Sequence, residues 1–199
     1  MDNTTDPRRI STRERMLEVA HDHFSARSFD ACNLRDIAAD VGIDVAYLHR
    51  SYGGKLKLFQ AVIDRAIDMC FEDARRCPSF TRFIIERIRN GDLRGLNYGP
   101  LPIISHSLAC QSVQAEIQSA IKRLFIDPLI AEHGEKFRVE ILMVAMLFMG
   151  MKIASPVVPA VLLTTKEEEL LDEMAVGILV ALLGDTPSQP SNFGESPQV

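Results

Sequence analysis

From Thr12 to Leu183 the apolar residues recur three and four positions apart, and strict in–out alternation is scarce. Spacing of three and four places side chains on one face of a helix, whereas a half-buried strand needs a period of two. The chain is therefore expected to be all-α, with about nine helices. Apolar residues (AVILMFWYC) make up 47% of the 199 positions and charged residues 25%, which is enough to bury a core and excludes global disorder.

Caps and breakers set the expected boundaries. A first helix is expected over 12–26, with Ser11 as N-cap, Glu14 closing a capping box, and Met16, Leu17, Ala20 and Phe24 on its inner face. Asn33 caps a short helix over 34–41, Gly42 permits a tight turn, and Asp44 caps another over 45–51. Later helices are expected over 55–76, 81–89, 100–110, 113–133, 135–154 and 167–183, with Pro128 kinking the sixth of these to end the run at His133. Residues 155–165, holding Pro156 and Pro159, read as a loop. These elements group as a three-helix head over 1–54, a helical body over 55–184 and a flexible polar tail over 185–199.

Charge and cysteine content exclude several functions. The net charge is −5, so the chain is not coated with basic residues; residues 1–60 carry nine Lys+Arg against nine Asp+Glu. The four cysteines, Cys32, Cys70, Cys77 and Cys110, form no CxxC or CxxH, so neither a metal site nor any other cofactor is expected and free thiols are the simpler reading. The apolar runs 141–151 and 175–183 are too short to span a bilayer, and the polar start has no apolar leader. A cytoplasmic protein with no membrane partner is expected.

Asn33–Tyr52 carries the most information. A short amphipathic helix, a glycine turn and a second capped helix with an inward Leu48 make a helix-turn-helix, whose second helix can enter the major groove. Val45, Ala46, Tyr47, His49 and Arg50 are the candidates for its outer face. A plain helical hairpin inside a core would share the same periodicity. The segment 13–66 closely resembles the DNA-binding head of the TetR family of transcriptional regulators. The resemblance rests on Thr12-Arg13-Glu14-Arg15-Met16-Leu17, Ala20, Phe24, Phe29, Leu34-Arg35-Asp36-Ile37-Ala38, Val41-Gly42-Ile43, Leu48, Arg50, Tyr52, Lys55 and Leu58-Phe59. Ser28, Asp44-Val45-Ala46, Tyr47, His49 and Ser51 depart from the family's usual residues, and most of these lie on the reading surface. The operator sequence is therefore not predictable from the resemblance.

The resemblance implies a double-stranded DNA operator as partner and gives roles to individual residues. Arg50 is the first candidate for base reading, since a guanidinium can fork to guanine O6 and N7; a salt bridge to Asp36 or Asp40 is its competing fate. Tyr47 and His49 are candidates for backbone and base-edge contacts, and Lys55 and Arg35 for phosphate. Asp44, Val45 and Ala46 complete the candidate DNA-binding set, and an arm at Arg8-Arg9 is a candidate for the minor groove.

For the body, the two last helices are apolar nearly all round and need partners on more than one side. The resemblance implies a homodimer built on a four-helix bundle, with Phe137, Ile141, Met149, Leu170, Met174, Ile178 and Leu182 as contributors. It also implies a repressor released by a small-molecule effector. Candidate lining residues are Met69, Phe80, Phe83, Ile84, Ile104, Leu108, Phe125, Met143 and Leu147, with His106 and Gln111 as polar contacts, and they favour a largely apolar effector. The alternative is a helical dimeric small-molecule-binding or protein-interaction module that has lost specific DNA binding. An enzyme is not expected: His106 and Cys110 lie four apart but have no evident third group, and His21 and His23 read as solvated.

Overall fold

A computed structural model of the chain describes residues 11–90, 99–154 and 164–184. The Arg8-Arg9 arm, the proline-containing loop and the C-terminal tail lie outside the described residues. Within them the fold is all-α, with ten α-helices.

The head is α1 (Thr12–Ala26), α2 (Leu34–Val41) and α3 (Val45–Tyr52). Its caps form as the sequence suggests. Glu14 N–H donates to Ser11 Oγ at 3.2 Å and Ser11 N–H to Glu14 Oε2 at 2.9 Å, which holds the Glu14 carboxyl below its usual range. Asn33 Oδ1 accepts from Arg35 N–H at 3.0 Å, and Asp44 Oδ1 from Ala46 N–H at 2.7 Å. Gly42 ends α2 at φ 81°, a left-handed conformation that a Cβ disfavours, and Ile43 N–H reaches back to the Ala38 carbonyl at 2.9 Å. Tyr52 donates its hydroxyl to the Arg13 carbonyl at 3.1 Å, which ties α3 to α1.

The long α4 (Lys55–Ala74) leaves the head and enters the body. Leu58 and Phe59 complete the head's core, where the Phe59 ring meets those of Phe24 and Phe29 at 5.1 and 5.0 Å. Further along, Val62, Ile63, Ala66 and Ile67 are buried in the body. One hydrophobic cluster therefore runs through both parts.

The body continues with α5 (Phe80–Arg89), α6 (Pro100–Ser107), α7 (Gln114–Ile121), α8 (Asp127–His133), α9 (Arg138–Ala154) and α10 (Thr165–Leu183). The stretch expected as one kinked helix over 113–133 is instead divided by a π-helical turn over Lys122–Ile126, with Pro128 in the first turn of α8. Proline has no N–H to donate to the Leu124 carbonyl, and Asp127 N–H bonds the Lys122 carbonyl one residue further back. Helix α6 ends at Ser107 rather than Cys110, and α10 starts at Thr165 because Thr164 and Glu167 form a capping box. At α5, Ser79 caps one N–H while the buried Glu132 carboxylate accepts from Phe80 N–H at 2.7 Å and Thr81 N–H at 3.3 Å. Glu132 thus docks α8 onto the positive end of α5.

Candidate nucleic-acid interface and effector cavity

Helix α3 has two distinct sides. Leu48 and Tyr52 are buried against the head's core, while Ala46, Tyr47, His49 and Arg50 are exposed. Arg50 forms no ion pair among the described residues; Asp40, one of its expected competitors, is taken by His23 Nε2 at 2.7 Å. Val45 is half-buried against the core, and the Asp44 carboxylate is engaged as the α3 cap. Those two members of the expected reading set are therefore held by the fold. Arg35 is exposed at the start of α2. Lys55 is half-buried: its ammonium sits 4.3 Å from the Phe29 ring centroid and donates to the Asp30 carbonyl at 3.5 Å.

That Phe29–Asp30 loop is also where the head meets the body. Phe29 N–H donates to Ser107 Oγ at 3.0 Å, and Ser112 Oγ to Asp30 Oδ1 at 2.7 Å. Hydrogen bonds from Ser112 and then Cys110 hold the Asp30 carboxyl below its usual range. Cys110 is thereby engaged with Asp30, while His106 is exposed and its Nδ1 donates to the Pro102 carbonyl at 2.9 Å, so the two do not form a pair. The cysteines are free thiols, and no cluster of metal-ligating residues occurs among the described residues. No helix among them is long and apolar enough to cross a membrane.

A cavity of about 580 Å³ opens between α1, α4, α5, α6, the π turn and α9. Of the residues expected to line it, Met69, Phe80, Phe83, Ile84 and Phe125 do so. Ile104 is buried elsewhere in the core, Leu147 is half-buried away from the cavity, and His106, Leu108 and Gln111 lie exposed toward the far end of α6. Met143 points outward, 54% exposed, because α9 is apolar all round and periodicity cannot choose its inner face. The contribution that the sequence reading missed comes from the head: Leu17, Glu18, His21 and Asp22 of α1 line the cavity. His21 and His23, read as solvated, have side chains only 15% and 12% exposed, because the body covers His21 and Asp40 covers His23. Leu17 and His21, four apart beside the buried Met16 and Ala20, were the signal.

On the opposite side of the body, Val139, Leu142, Met143, Met146 and Ile153 form one exposed stripe on α9, and Leu170, Leu171, Met174 and Ile178 another on α10. Leu170, Met174 and Ile178 were expected on such a face. Ile141 and Met149 instead turn into the protomer's own core, and Phe137 and Leu182 are half-buried against it.

The architecture is that of a bacterial regulator with a helix-turn-helix head. Residues 16–62 match the family of bacterial regulatory proteins called the tetR family. A tetR-family transcriptional regulator from Streptomyces coelicolor aligns with a TM-score of 0.62 at 19% identity, covering 85% of this chain and 81% of that one. A TetR transcriptional regulator from Rhodococcus sp. RHA1 aligns with a TM-score of 0.55 at 16% identity, covering 85% of this chain and 95% of that one. No curated protein sequence matches the chain. By its head the chain is a TetR-family protein, and its body shares the fold of that family's solved regulators.

Proposed function

We propose that this chain is a ligand-responsive transcriptional regulator, a repressor whose homodimer binds a two-fold-symmetric DNA operator and leaves it when a small, largely apolar effector occupies the cavity. The observation that carries this reading is α3 itself: a short helix anchored by Leu48 and Tyr52, with Tyr47, His49 and Arg50 facing outward and Arg50 without an ion pair among the described residues. In this reading Arg50 reads a base, Tyr47 and His49 contact backbone and base edges, and Arg35 and Lys55 grip phosphate. The exposed stripes of α9 and α10 pair with those of a second copy. A dimer built that way would present two reading helices to successive major-groove turns, about 34 Å apart.

Selection from a random duplex pool with the purified protein tests this. An enriched palindromic site is expected. Arg50→Ala should relax the preference at one base position and cost roughly 1–3 kcal/mol there, whereas Lys55→Ala should weaken all duplexes about equally. No enrichment by the folded dimer, before and after refolding to strip any bound effector, would refute DNA reading.

A further inference from the structure

The cavity has phenylalanine and aliphatic walls, from Phe80, Phe83, Phe125, Phe148, Val62 and Leu124. The charged groups near its rim have partners: Arg65 lies 3.4 Å from Glu18, Asp73 3.2 Å from Arg76, and the Arg87 guanidinium 5.6 Å from the Phe83 ring centroid. An ionic ligand would give up hydration against such walls with the rim charges already engaged, so a neutral ligand is favoured. Among the walls, α1 presents the imidazole of His21.

The hydrogen bonds of that ring fix what it offers. Its Nε2 lies 3.3 Å from the Gly99 carbonyl oxygen. A carbonyl only accepts, so Nε2 carries the hydrogen, and Nδ1 of the neutral ring accepts from the Ser25 hydroxyl at 3.5 Å. Both distances exceed the usual 2.9–3.0 Å or so of an N–H···O bond and the somewhat shorter hydroxyl bonds, so the Nε2–H is held loosely. Gly99 and His21 both line the cavity. A ligand seated against Pro100 and Leu101 therefore meets a donor that can exchange one carbonyl oxygen for another.

We propose that His21 recognises a carbonyl oxygen on a neutral, predominantly apolar effector, taking it in place of the Gly99 carbonyl and so loosening the contact between head helix α1 and body helix α6. This deepens the cavity reading above and rests on it. The head would then sense the effector directly through one of its own side chains, as well as through α4.

Benzophenone and diphenylmethane test the idea, since they differ by a carbonyl in place of a methylene. Calorimetric titration of the full-length protein should give benzophenone about a threefold to tenfold advantage, the span of one net hydrogen bond. In His21→Phe both compounds should bind with the affinity of diphenylmethane. In ¹⁵N spectra of the wild-type protein, the His21 Nε2 resonance should move with benzophenone and stay with diphenylmethane, a readout that needs no variant to fold. Equal affinities in the wild type, an unmoved Nε2 resonance, or a preference that survives His21→Phe would overturn the role of His21 while leaving the cavity reading intact. Failure of both compounds to bind, or binding undiminished in the cavity-filling Ala66→Phe, would overturn the cavity reading and this inference with it.

Discussion

The backbone N–H of Phe29 donates to Ser107 Oγ at 3.0 Å, joining the loop after α1 to the last residue of α6 across 78 positions of sequence. Ser107 is fully buried, so water cannot replace it. Ser107→Ala leaves the Phe29 N–H unsatisfied and is expected to destabilise the chain by about 1–3 kcal/mol in urea unfolding. Ser112→Ala, at an exposed position, should cost well under that. Equal costs for the two would show that burial of this joint contributes little.

Glu132 is the second interior polar anchor. Its carboxylate accepts two N–H groups at the start of α5, and the neighbouring His133 Nε2 lies 2.6 Å from Thr81 Oγ1. Glu132→Ala strips the cap and is expected to cost roughly 2 kcal/mol or more, with faster amide exchange at Phe80 and Thr81. Glu132→Gln keeps an acceptor oxygen and should lose less. Unchanged exchange at both amides in the alanine variant would contradict the capping role.

The outward stripes of α9 and α10 predict the behaviour of the oligomer. Met146 is 62% exposed and Met174 57% within a protomer, so a charge at either place should leave the protomer's own packing intact. Met146→Glu combined with Met174→Glu is expected to turn a dimer into a folded monomer by light scattering at micromolar concentration. A double variant that stays dimeric would place the contact on another face.

Cys70 lines the cavity, and burial pushes its thiol up to about 11. At pH 8 only about one molecule in a thousand would then hold the thiolate, so Cys70 should react with a disulfide reagent far more slowly than a free cysteine. Because the folded value lies above the unfolded one, the stability linked to this thiol is full at neutral pH and is lost as pH rises toward 11. Labelling of Cys70 as fast in the folded as in the urea-unfolded protein would contradict its burial.

Local signals made most of the head legible. Ser11 with Glu14, Asn33, Asp44 and Gly42 each act within three or four residues of themselves, and the caps and turn form where the sequence puts them. The residues that escaped reading depend on partners far away in sequence. His21, Glu18 and Asp22 have the look of a solvated helix face until the body is laid against α1. Glu132 looks like one more surface carboxylate until α5 meets it. On α9, Ile141 and Met143 are equally apolar, and only the packing of α9 against its neighbours decides that Ile141 turns in and Met143 out. The π turn ahead of Pro128 was visible as a disturbance, but its form depends on where the freed carbonyl finds a donor.

Helix α4 supplies Leu58 and Phe59 to the head's core and Ala66, Met69 and Cys70 to the cavity, with Val62 both buried in the core and on the cavity wall. No cut along this helix separates the DNA-reading part from the ligand-sensing part. A chimera that exchanges heads between relatives at residue 54 would graft a new α1–α3 onto a foreign Leu58–Phe59 floor; one that cuts after Val62 would carry over part of the old cavity wall, and in either case Leu17 and His21 arrive with the new head. Recombination between such regulators should therefore alter operator choice and effector choice together. New pairings of the two specificities would have to arise by point substitution within a single continuous core.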